Sequence, residues 1–157
     1  MRILPDTNIF NSILDGSCPP DVLASHHVFV THIQKDELQR TADMDRRAAL
    51  MATFETIPSA STPTRTAVWD DTPWGESGWS AKGDLYDRLL ARIKELDSLA
   101  KKKKKSANQS RDARIAEVAI ADQIVLITND QSLAKATAEH GGTAMSLSDL
   151  QKHQEPK

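Results

Sequence analysis

The chain has 157 residues, with 20 Lys/Arg against 22 Asp/Glu and a formal net charge of −2, enough for one domain with a working core. At 39% hydrophobic and 27% charged it has a globular composition, and no apolar run approaches the roughly 20 residues that a membrane span needs. The single cysteine, Cys18, excludes a disulfide framework and a cysteine-based zinc site. Met1 to Phe10, broken by Pro5 and Asp6, does not read as a signal peptide, so the expected location is the cytoplasm.

Arg2 to Pro5 is a short apolar run closed by Asp6-Thr7-Asn8, after which Ile9, Phe10, Ile13 and Leu14 recur at helical spacing. The pattern predicts a buried strand, then a helix capped by Asp6 or Thr7 and stopped by Gly16 to Pro20. Val28 to Thr31 predicts a second strand, and His32 to Gln39 and Asp45 to Phe54 predict helices. Residues 58–83 hold Pro58, Pro63, Pro73, Gly75, Gly78 and Gly83 and all three tryptophans, Trp69, Trp74 and Trp79. They are expected to be loop, with at most a strand over Thr66 to Trp69. A long helix is predicted over Asp84 to Lys105 on Leu85, Leu89, Ile93, Leu96 and Leu99, followed by a break at Ser106 to Ser110 and a shorter helix over Arg111 to Ala121. Ile124 to Ile127 is apolar throughout, as in a strand covered on both faces. A helix from Asp130 to about His140, a stop at Gly141-Gly142 and a short strand over Thr143 to Ser146 complete the pattern. The alternation predicts a single α/β domain over residues 1–150 with a mainly parallel sheet, a Lys-rich connection at 101–110 and a polar tail at 151–157.

Four acids stand out by position. Asp6 and Asp130 follow two of the strands, so parallel strands would bring both to one sheet edge, where ligands of such sheets bind. Glu37 comes shortly after the second strand, with Asp36 as a competitor, and Asp112 opens the helix that feeds the Ile124 strand. Singly, each has an ordinary explanation: helix caps for Asp6 and Asp130, a first-turn acid for Asp112, a solvated acid for Glu37. Together they would repel one another unless a cation neutralised them, and all-oxygen ligation suits Mg²⁺ or Mn²⁺.

This ordered set resembles the PIN-domain ribonucleases, especially the VapC-like toxins of type II toxin–antitoxin pairs. The resemblance is carried by Ile3-Leu4-Pro5-Asp6-Thr7-Asn8, by Glu37-Leu38, by Asp112-Ala113-Arg114-Ile115-Ala116 and by Val125-Leu126-Ile127-Thr128-Asn129-Asp130. Two places depart from the pattern. Asp122-Gln123 stands where a Gly-containing turn is common, and Ser132-Leu133 stands where many members place a second acid and Phe.

The resemblance implies a PIN-like three-layer α/β/α domain and a Mg²⁺- or Mn²⁺-dependent endoribonuclease. Asp6, Glu37, Asp112 and Asp130 would be both catalytic residues and metal ligands, and Asn8 and Thr128 would orient water or a carboxylate. It also implies RNA as substrate, an antitoxin protein as partner and a homodimer. None of His26, His27, His32, His140 and His153 falls on a motif position.

Residues 82–114 carry 11 Lys/Arg and 5 Asp/Glu, a local excess of +6 against −8 for the rest of the chain. Lys101, Lys102, Lys103, Lys104 and Lys105, with Arg111 and Arg114, are therefore candidates for RNA phosphate contacts, although a charge run that ends a helix is also a common solvated feature. The tryptophans fit base stacking, a partner surface or a small satellite core. A PIN-like module that binds nucleic acid without cutting is the main alternative. A phosphatase using Asp6 as nucleophile is less favoured, because Asn8 stands where that chemistry wants a second acid.

Overall fold

A computed structural model of the chain describes residues 1–66 and 84–153. In chain order the elements are β1 (Arg2–Pro5), α1 (Thr7–Leu14), α2 (Asp21–Ala24), β2 (His27–Val30), α3 (His32–Gln39), α4 (Met44–Thr56), β3 (Ser59–Ser61), α5 (Asp84–Leu99), α6 (Ser106–Ala121), β4 (Val125–Ile127), α7 (Gln131–Glu139), β5 (Ala144–Met145) and α8 (Leu147–Lys152). The strands form one sheet in the order β3-β2-β1-β4-β5. Each neighbouring pair is parallel.

Strand side chains alternate between faces, and both faces here are apolar. Ile3, Val28 and Ile127 pack with Ile9, Phe10, Ile13, Leu50, Leu147 and Leu150 on one side. Leu4 and Leu126 pack with Leu89, Ile93, Ile115, Ala116 and Leu133 on the other. Helices α1, α4 and α8 therefore cover one face and α5, α6 and α7 cover the other. The result is the expected three-layer arrangement.

The chain moves from β1 to β2 and β3 in one direction and later fills β4 and β5 in the other. The β1/β4 seam is thus the switch point of the sheet, beside which ligands of such folds bind at the carboxyl ends of the strands. Pairing of Pro5 with Ile127 brings the ends of β1 and β4 level. Asp6 and Thr128 then leave the sheet side by side.

Four local expectations need correction. Residues 59–61 form an edge strand on β2 rather than loop; they are exposed, so burial left no apolar pattern to read. Helix α5 stops at Leu99 rather than Lys105, because its last buried apolar residue is Leu96, Leu99 itself is exposed, and the five adjacent ammonium groups that follow repel. Ser106 to Ser110 is the first part of α6 rather than a break, so the connection shrinks to residues 100–105. The tail is structured as far as Lys152, because α8 seats Leu147 and Leu150 in the core. The three tryptophans, and all of the strand expected at Thr66 to Trp69 except Thr66, lie outside the described residues. Among the described residues no helix is long and apolar enough to cross a membrane.

Candidate functional site

The backbone N–H of Asp6 donates to the Ile127 carbonyl at 2.8 Å, which fixes the acid to the β1/β4 seam. Asp6 holds the N-cap position of α1, yet its side chain makes no capping bond. Its Oδ2 instead accepts from the Thr128 hydroxyl at 3.0 Å and from Asn8 Nδ2 at 3.5 Å, and the residue is only 3% exposed. Asp130 does cap its helix, α7: Oδ1 accepts from the N–H groups of Ser132 at 2.8 Å and Leu133 at 3.2 Å. The Thr128 hydroxyl also accepts from the Asp130 N–H at 3.0 Å. One buried hydroxyl therefore links both strand-end acids.

Glu37 arrives on α3, whose start is held by a capping box. Gln34 Oε1 accepts from the Thr31 N–H at 2.9 Å and the Thr31 hydroxyl at 2.6 Å, while Thr31 Oγ1 caps the Ile33 N–H. The other end of the Gln34 amide donates to the Pro5 carbonyl at 3.0 Å, which ties α3 to the end of β1. One turn on, Glu37 Oε2 accepts from the Thr7 hydroxyl, and Glu37 Oε1 lies 3.7 Å from Arg111 Nη1. Asp36 lines a separate cleft with His32, Lys35 and Ser61. Of the two neighbours, Glu37 is the one turned toward the other acids.

Asp112 stands on α6 and is 8% exposed. Burial, together with the charges of Asp6 and Asp130, pushes its carboxyl up to about 7 from 3.8. Burial, aided by the charge of Glu37, pushes Asp6 up to about 6 despite the Thr128 hydrogen bond. Asp130 goes the other way. Burial would raise it, but hydrogen bonds from Lys104 and Lys102 outweigh that and hold it at about 2.

Those two lysines were not anticipated inside the site. Lys104 Nζ donates to Asp112 Oδ2 at 2.5 Å and to Asp130 Oδ2 at 2.7 Å. Lys102 Nζ donates to Asp130 Oδ1 at 3.0 Å. Burial opposes the charge on Lys104, but Asp112 and Asp130 more than compensate and raise its pKa. The sequence held one signal for this: an excess of acids at one edge, and a run of cations seven residues before Asp112. Lys101, Lys103 and Lys105 remain exposed. Arg111 lies beside Glu37, whereas Arg114 is fully buried with Nη2 3.1 Å from His32 Nε2. A phosphate on the surface cannot reach a group so placed, so the structure removes Arg114 from the candidate RNA contacts.

The donor chemistry fits a hard divalent cation, because the converging groups are carboxylates and two of them, Asp6 and Asp112, are held against the charge of neighbouring acids. As the side chains stand, no three His, Cys, Asp or Glu among the described residues are close enough to hold one ion. The cation that Asp112 and Asp130 share is Lys104.

No family model matches the chain, and no curated protein matches it. Solved structures do. A chain in the crystal structure of VapBC2 from Rickettsia felis, bound to a DNA fragment from their promoter, superposes with a TM-score of 0.54 at 15% identity, covering 93% of this chain and 98% of that one. PAE2754 from Pyrobaculum aerophilum superposes with a TM-score of 0.50 at 17% identity, covering 98% and 94%. At such identities the likeness is one of architecture, and at that level the chain matches the VapC-like PIN domain.

Proposed function

We propose that this chain is a PIN-fold endoribonuclease that holds Mg²⁺ or Mn²⁺ with Asp6, Glu37, Asp112 and Asp130 and hydrolyses RNA phosphodiester bonds. The reading includes an antitoxin partner and a homodimer, in keeping with the VapC-like fold. One observation carries it: acids from four separate elements converge beside the switch point of a parallel sheet, and burial with the charge of neighbouring acids raises the carboxyls of Asp6 and Asp112. When bound, the metal would activate water and neutralise charge on the scissile phosphate. The chain's own groups set the geometry. Thr128 orients Asp6 and fixes the backbone of Asp130, Thr7 orients Glu37, and Arg111 with the exposed Lys101, Lys103 and Lys105 supplies positive charge for an RNA backbone.

The test is cleavage of single-stranded RNA by the full chain in Mg²⁺ and in EDTA, with Asp6→Asn and Asp112→Asn alongside. The expected result is cleavage in Mg²⁺ only, reduced by about 100-fold or more in each variant while the fold is retained. Equal cleavage in EDTA, or full activity in both variants, refutes the reading. One observation favours the non-cleaving alternative, namely the lysine that sits where metal charge would be needed. RNA binding without any Mn²⁺ binding would establish that alternative instead.

A further inference from the structure

We propose that Lys104, supported by Lys102, is a tethered cation that occupies the acid site, and that a divalent ion binds there only by displacing it. The inference rests on the metal-site reading above. The Lys104 ammonium bridges Asp112 on α6 and Asp130 at the start of α7, at 2.5 and 2.7 Å. Lys102 takes the remaining Asp130 oxygen at 3.0 Å, reaches Ser132 Oγ at 3.3 Å and lies 3.8 Å from Oδ1 of the buried Asp97. Each oxygen of Asp130 thus has its own lysine. Each of these oxygens keeps room for a further partner, but an ammonium and a divalent ion held against the same carboxylate repel strongly, so loading is an exchange.

The backbone is shaped for this placement. Helix α5 closes with the Lys101 N–H on the Ser98 carbonyl at 3.0 Å and the Lys102 N–H on the Asp97 carbonyl at 2.9 Å. That pattern turns the chain through a left-handed residue, and the residue here is Lys101 at φ 55 rather than glycine. The chain then runs without helix or strand to the extended Lys105. Lys104 is partly buried, and Lys102, exposed like Lys101, Lys103 and Lys105, still brings its ammonium group to Asp130. The Lys104 side chain is 22% exposed, a burial that a merely solvated lysine does not show. A run of lysines that only ended a helix would not need two ammonium groups placed on buried acids.

The experiment titrates Mn²⁺ into the metal-stripped full chain at fixed ionic strength, reading free Mn²⁺ by electron paramagnetic resonance. Wild type is compared with Lys104→Gln and Lys103→Gln, which remove the same charge from neighbouring positions. Lys104→Gln is expected to bind Mn²⁺ about tenfold tighter or more, and Lys103→Gln within about twofold of wild type. In wild type alone, reductive methylation read by mass spectrometry should find Lys104 protected without Mn²⁺ and modified with it, and Lys103 modified in both. Unchanged or weaker binding by Lys104→Gln, or a Lys104 that stays protected with Mn²⁺ bound, overturns the displacement and leaves the metal reading intact. An absence of Mn²⁺ binding in both wild type and Lys104→Gln overturns both.

Discussion

Asp6→Asn should make the metal-free protein more stable at alkaline pH. The substitution keeps the size of the side chain and an oxygen for the Thr128 hydroxyl, and it deletes a charge that is buried and faces Glu37. The folded carboxyl is raised from 3.8 to about 6. At about 1.4 kcal/mol per pH unit, ionising it in the folded state costs on the order of 3 kcal/mol. Because the folded value is raised, the advantage of the protonated wild type is complete below 3.8 and disappears as pH rises through 6. The gain from Asn should therefore be largest at pH 8 and fall to about 1 kcal/mol at pH 4.5. Asp130 does not confuse the comparison, since its lowered carboxyl is ionised in both states across that window. Asp112 adds in the same direction, because removing the Asp6 charge relieves it. For a chain of this size the gain corresponds to a rise in Tm of about 6–12 °C. Thermal melts in EDTA at pH 8 and pH 4.5 measure it. A Tm that is unchanged or lower at pH 8, or a gain that is equal at both pH values, refutes the electrostatic account of the site.

Thr128→Val should cost about 1–3 kcal/mol in denaturant melts, because it leaves the Asp130 N–H and Asp6 Oδ2 without their shared partner; stability equal to wild type would show that the hydroxyl links nothing. Glu37→Gln should reduce Mg²⁺-dependent RNA cleavage by about 100-fold while Asp36→Asn stays near wild type, and the reverse order in a kinetic assay would exchange their roles. Replacing Lys101, Lys103 and Lys105 with Gln should weaken binding to all single-stranded RNA alike and lower the log–log salt slope by about one per lost phosphate contact. An unchanged slope in binding titrations at several salt concentrations would show these three to be solvated only.

The parts of the site that follow from strand ends were legible in the sequence. Asp6 and Asp130 could be placed together because a fully apolar run such as Ile124 to Ile127 implies a strand covered on both faces, and parallel strands end on one edge. Elements without a burial signature were not legible. Edge strand β3 reads Ser59-Ala60-Ser61 and is exposed, and α2 is only four residues long. The choice between Asp36 and Glu37 needed the Gln34 bond to Pro5, a long-range contact that fixes the rotation of α3. The lysine run misled in a different way. The spacing of Leu85, Leu89, Ile93, Leu96 and Leu99 carried α5 on to Lys105. The competing attraction came from acids that sequence separates by 8 and 26 residues from Lys104.

The end of β1 has a further consequence. Pro5 has no N–H, and β1 pairs with β2 only as far as Ile3 and Val28, whereas it pairs with β4 up to Pro5 and Ile127. Beyond Val28 the two strands part, and the amide of Gln34 bridges the gap, donating to the Pro5 carbonyl and accepting from the Thr31 N–H. Asp6 and Asp130 therefore stand on strands locked by main-chain bonds, while Glu37 rides on a helix spaced from β1 by the reach of one side chain. Position 34 acts as a ruler. The width of the acidic cleft on that flank is written in the length of a glutamine, so a change there would shift one wall of the cleft while every acid kept its identity and charge.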